Sequence, residues 1–156
     1  MTAREKAISY LARFARTELQ VRRYLQRKGF GVDEITDALQ FLREHNFVND
    51  TSYAESYIAS RISRCDGPLK IKQLLMQKGV SSAEAQLLLQ EKYPLDLQIA
   101  NARKLLGKRT KSPAQNQRFI ASRGYARYVI MQALKQTTDQ HRVKRINTDK
   151  MDILYR

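Results

Sequence analysis

Aliphatic and small residues recur along this chain at helical spacing, and the pattern repeats against itself. Three glycines, Gly29, Gly79 and Gly124, anchor the comparison. Four residues before them stand Leu25, Leu75 and Ile120, and eight before them stand Val21, Ile71 and Asn116. Six residues after them stand Ile35, Ala85 and Ile130, and at nine and ten come Ala38-Leu39, Leu88-Leu89 and Ala133-Leu134. Steps of three and four residues put such positions on one face of a helix. The glycines lie 50 and then 45 residues apart, a period that belongs to helical repeat proteins.

The polar positions punctuate the same units. A cation precedes each glycine: Lys28, Lys78 and Arg123. Cation then glycine suits the end of a helix, where the dipole favours positive charge and the glycine turns left-handed. Twelve residues before each glycine stand Thr17, Gly67 and Ser112, all good helix N-caps. Pro68 and Pro113 follow two of them at the first helical position, where proline sacrifices no hydrogen bond. Thr17 with Gln20, and Ser112 with Gln115, have capping-box spacing. A second helix follows each glycine, with Ser81 and Glu84 as its box in the middle unit and Gly31 with Glu34 a weaker version in the first. A third helix precedes each cap. Its face is Tyr10-Leu11-Ala12 in the first unit, Tyr57-Ile58-Ala59 in the second, and Ile99-Ala100 with Leu105-Leu106 in the third. Asn49-Asp50 is expected to cap the second of these helices and Asp96 the third. Sustained apolar–polar alternation and hairpin turns are absent.

The expected fold is therefore all-α, with three tandem three-helix repeats forming an elongated, curved array. The modules are residues 1–49, 50–95 and 96–136. Residues 137–156 fall outside the repeat as a polar basic tail, open between a frayed helix, a disordered arm and an appendage.

Composition narrows the function. The chain has 156 residues, 42% of them hydrophobic, enough for a core. Its one cysteine, Cys65, excludes an internal disulfide and any Cys-rich zinc site. It has no apolar signal segment at its start and no run long enough to cross a membrane. A reduced, cytoplasmic, soluble protein is expected, monomeric and without a membrane partner. The net charge is +14. Residues 1–50 and 51–95 each contribute +2, and residues 96–156 contribute +10. That asymmetry points to an anionic partner met first by the last module.

Four segments, taken in order, resemble the RecX family of bacterial recombination regulators, which restrain the RecA recombinase. The stretch from Thr17 to Leu25 is similar to the family's Ser-Glu-x-Glu-Leu-x-x-Lys-Leu helix, with Tyr24 where a Lys is usual. Phe47 to Ala54 is similar to its Leu-Asp-Asp-x-x-Phe-Ala segment. Gly67-Pro68-Leu69-Lys70-Ile71 with Leu74 and Lys78-Gly79 resembles its Gly-Pro-x-x-Ile-x-x-x-Leu and Lys-Gly. Arg118-Phe119-Ile120 with Arg123-Gly124-Tyr125 resembles its Phe-Leu-x-x-Arg-Gly-Phe. The likeness covers about residues 5 to 135. It implies a non-enzymatic inhibitor that lies in the groove of the RecA–single-stranded DNA filament and lowers ATP hydrolysis and strand exchange.

Most of the shared motif reads as caps and core, so the candidate contacts are cations off the core rows. In the first module these are Arg22, Arg23 and Arg27; in the second, Arg61, Arg64, Lys70 and Lys72. The third module supplies Arg103, Lys104, Lys108, Arg109 and Lys111, then Arg118, Arg123 and Arg127. Tyr53, Tyr57, Tyr125 and Tyr128 are able to stack on bases, though core packing with a solvated hydroxyl is the expected role at helical spacing. His45 is expected to meet carbonyls at a helix end, and Cys65 to be inert. No phosphate loop, nucleophile elbow or His-Glu-x-x-His motif is present, so neither cofactor nor catalysis is expected. The alternative function is a direct DNA-binding helical-repeat protein that acts without RecA.

Overall fold

The computed structural model of the chain describes residues 1–107 and 109–135, and among them every regular element is helical. In order these are α1 (Ala3–Leu11), α2 (Glu18–Arg27), α3 (Val32–Glu44), α4 (Asp50–Ser63), α5 (Pro68–Gln77), α6 (Ser82–Lys92), α7 (Leu95–Leu106), α8 (Pro113–Ser122) and α9 (127–135). The chain divides into two compact units. The first holds residues 1–60 and 72–92, and the second holds 61–71 and 93–156. The division cuts across the sequence period, because α4 and α5 each contribute to both.

In the first unit α1, α2 and α3 pack on one another around Ala3, Ala7, Val21, Leu25, Ile35, Ala38, Leu39, Leu42 and Val48. Val21 and Leu25, picked out by the repeat, are fully buried, as is Ala38. Burial of such an aliphatic side chain contributes about 2 kcal/mol. The two alanines of α1 let that helix approach closely. The start of α2 follows the expected box: the Thr17 hydroxyl accepts from Gln20 N–H, and Gln20 Oε1 accepts from Thr17 N–H at 3.0 Å. Asn49 caps α4 through Ser52 N–H at 2.9 Å. His45 Nδ1 lies 2.9 Å from the Phe41 carbonyl, as its place at a helix end suggests.

Each unit is held by a joint of the same kind. In the first, the Thr17 hydroxyl at the start of α2 donates to the Lys78 carbonyl at the end of α5 (2.5 Å). In the second, Gly67 N–H at the start of α5 donates to the Arg123 carbonyl at the end of α8 (2.7 Å), and Leu69 N–H to the Gly124 carbonyl (3.0 Å). Amides of the first helical turn have no partner inside their own helix. In the second unit the end of α8 supplies it, and in the first Glu18 N–H finds the Asp50 carboxylate at 2.8 Å.

The joint explains the glycines beyond their caps. A Cβ on Gly124 would fall on the Lys70 backbone, and one on Gly79 would strike the Leu19 side chain. At Gly29 a Cβ would meet open space, and only the positive φ of 86° calls for glycine.

One expected cap is corrected. Asp96 lies inside the first turn of α7, and Pro94 occupies the N-cap position. The proline starts the helix, and the acid one residue past the first helical position complements the dipole instead. The tail expected over 137–156 lies outside the described residues.

Candidate functional site

The second unit is where charge accumulates. Its residues carry 17 Lys and Arg against 5 Asp and Glu, a net +12 of the chain's +14. Its described part holds two carboxylates, Asp66 and Asp96.

Asp66 sits in the turn before α5, buried to 1% exposure. Three cations converge on it. Arg61 from α4 lies at 3.2 Å, Lys70 from α5 at 2.9 Å, and Arg123 from the end of α8 at 3.2 Å. Arg123 also donates to the Arg64 carbonyl at 2.6 Å, while its Nε is buried without a hydrogen-bond partner. A buried carboxylate needs such company, since desolvation alone would cost several kcal/mol. Three of the sequence-predicted contact residues are thus gathered around one acid and tie three helices together.

Beside them runs a polar chain. The Tyr125 hydroxyl donates to the Cys65 carbonyl at 2.9 Å and lies 2.9 Å from the Tyr93 hydroxyl. Asn101 Nδ2 bonds both Tyr93 Oη and the Ile62 carbonyl at 3.1 Å. Burial, then the neighbouring Tyr93, pushes the Tyr125 hydroxyl far above its ordinary range; burial also raises Tyr93. The expected solvated hydroxyl is corrected at Tyr125: the ring is buried and its oxygen is bonded inside the protein. Tyr128 is the opposite case, 59% exposed.

The other cations of this unit stand apart from Asp66. Arg64, Lys104, Arg109, Lys111, Arg118 and Arg127 are exposed. Arg109 does not dangle: its guanidinium lies 3.8 Å from the Phe119 ring centre, and its Nε donates to Asn116 at 3.2 Å. Asn116 in turn donates to the Lys111 carbonyl, so the basic segment before α8 is pinned on that helix. Arg103 is half-buried with an unpartnered Nε. Lys108 lies outside the described residues.

The first unit holds the remaining candidates. Arg23 and Arg27 are exposed on α2. Arg22 is half-buried 3.4 Å from Glu18, and Lys72 donates to Gln86 at 3.0 Å. The sequence reading missed Asp66, Tyr93, Asn101 and Arg16. The one available signal for Asp66 was its spacing of four from Lys70 on the start of a helix.

Among the described residues no helix is long and apolar enough to cross a membrane. Comparison with known proteins gives a consistent picture. Two family models match: RecX, first three-helix domain, over residues 3–42, and RecX, second three-helix domain, over residues 49–89. A "Regulatory protein RecX" of Clostridium botulinum is 34% identical over 148 residues, covering 85% of this chain and 67% of that protein. One from Bacillus thuringiensis is 33% identical over 146 residues, covering 86% of this chain and 53% of its own length. The crystal structure of RecX from Lactobacillus salivarius has the same fold, with a TM-score of 0.80 at 24% identity over 86% of this chain and 93% of that one.

Proposed function

Since the chain belongs to the RecX family of regulatory proteins, we propose that it is a non-enzymatic inhibitor of RecA that binds the RecA–single-stranded DNA filament. The observation that supports this reading is the charge left over in the second unit. Asp66 is committed to Arg61, Lys70 and Arg123, and Asp96 is the other carboxylate among that unit's described residues. The exposed cations therefore keep a strong positive field for phosphates and acidic protein surfaces together. A chain of repeated modules can touch more than one subunit of a polymer, which suits a filament better than a single site.

The test is RecA-catalysed ATP hydrolysis on single-stranded DNA, with this protein added below RecA stoichiometry at about 0.15 M ionic strength. Inhibition well below one molecule per RecA is expected. Reversing Lys104, Arg109, Arg118 and Arg127 to Glu should remove most of it. Wild-type inhibition in that variant would refute the contact surface. Tight binding to bare DNA with no effect on RecA would favour the second reading, a direct DNA binder, for which the same net +12 argues.

A further inference from the structure

The first unit contains a groove that the cation argument does not use. It has a volume of about 380 Å³ and is lined by Arg16, Asn46, Phe47, Asn49, Tyr53 and Tyr57, among others. That volume suits one small ligand.

The walls follow from how α4 divides its faces. Ala54 and Ile58 go to the core. Thr51 and Glu55 turn to α6, where they meet Glu84 and Lys92. The remaining stripe, Ser52, Tyr53, Ser56 and Tyr57, faces the groove. Tyr53 and Tyr57 lie parallel within 14°, with ring centres 6.0 Å apart, and the Lys78 ammonium stands 5.2 Å from the Tyr57 ring centre. Phe47, also in the lining, is 49% exposed, and Phe14, adjacent in sequence to the lining residue Ala15, is 66% exposed.

Arg16 supplies the charge. Its guanidinium sits 5.3 Å from the Tyr10 ring centre and 5.6 Å from that of Phe14, which fixes its position. Its Nε is buried and has no hydrogen-bond partner. The nearby acids are engaged: Glu18 with Arg43 at 2.8 Å, and Asp50 with Glu18 N–H at 2.8 Å. The amides of Asn46 and Asn49 complete the lining.

Aromatic faces, amide groups and one fixed guanidinium form the pattern that takes an unstacked base and its phosphate. We propose that this groove binds one nucleotide unit, the base against Phe47 and Tyr53 and the phosphate at Arg16. A single strand and a free nucleotide share that chemistry. The strand as the source rests on the filament reading above.

The sequence contains no tryptophan, so Phe47→Trp places a single reporter in the groove while keeping an aromatic wall. The full chain carrying it is titrated with oligothymidylate and, separately, with thymidine monophosphate, while strand binding is followed by anisotropy of a labelled oligomer. Saturable quenching of the indole is expected. Adding Arg16→Gln, or Tyr53→Leu as a second variant, should weaken it about tenfold. Quenching by the strand alone assigns a strand segment, and equal quenching by the monophosphate assigns a free nucleotide; both support the site. Strand binding with unmoved emission overturns it, as does quenching that both added variants leave unchanged. The RecA assay separates the two readings. Quenching without RecA inhibition would keep the groove and sink the filament role, and inhibition without quenching would do the reverse.

Discussion

Replacing Asp66 with asparagine keeps the side chain's shape and removes its charge. In the folded protein the carboxylate is 2% exposed and lies within 3.2 Å of three cations whose side chains are 22%, 34% and 29% exposed. Breaking a buried pair costs about 3–5 kcal/mol, because the partner is left uncompensated. Here the three partners reach water in part, so each recovers some solvation. The amide also retains one acceptor oxygen while turning an NH₂ toward positive charge. The lower end, about 3 kcal/mol, is the reasoned figure. For a protein of this size that corresponds to a fall in Tm of roughly 10 °C. Thermal unfolding at pH 7 by circular dichroism reads it directly, with exposed Arg64→Gln as a control that should move by no more than about 0.5 kcal/mol. A fall under about 2 °C for Asp66→Asn would refute the claim that this acid holds the second unit together.

Gly124→Ala should cost at least about 3 kcal/mol, since the added Cβ meets the Lys70 backbone at a positive φ, whereas Gly29→Ala should cost only about 1–2 kcal/mol of backbone strain; denaturant midpoints compare the two. Tyr125→Phe should lose about 1–3 kcal/mol, because the Cys65 carbonyl and the Tyr93 hydroxyl both lose a bonded neighbour. The raised Tyr125 and Tyr93 mean that the unfolded chain gives up their protons first as pH climbs, so wild-type stability should fall above about pH 10, more steeply than in Tyr125→Phe, in urea unfolding at stepped pH. Arg118→Gln should lower the salt slope of strand binding by about 0.7 and leave Tm unchanged. Arg123→Gln should lower Tm with little effect on the slope, and equal slopes and Tm changes in the two would undo the division of the cations.

The helices were legible because each signal for them is local. Thr17 with Gln20 and Ser112 with Gln115 form their capping boxes within four residues, and the cation–glycine ends act within one turn. Val21 and Leu25, or Ile71 and Leu75, need only the 3.6-residue period to share a face. What spacing does not encode is which helix end meets which. The contact of Gly67 with Arg123 spans 56 positions, and that of Thr17 with Lys78 spans 61. For that reason the glycines at 79 and 124 looked the same as Gly29, although at those two positions a neighbouring chain segment fills the space where a side chain would stand.

The same reasoning governs the candidate contacts. A sequence counts cations; a fold decides which ones have been committed. Arg61, Lys70 and Arg123 look like Arg64, Lys104 and Arg118 along the chain, and what separates them is one acid at position 66 that the repeat pattern never singled out. Asp66 engages three of the second unit's cations and binds three helices together. The aromatic groove follows the opposite logic. Tyr53 and Tyr57 stand at helical spacing, where core packing is the usual outcome, and they escape it because Ala54 and Ile58 on the adjoining face of α4 already fill the core.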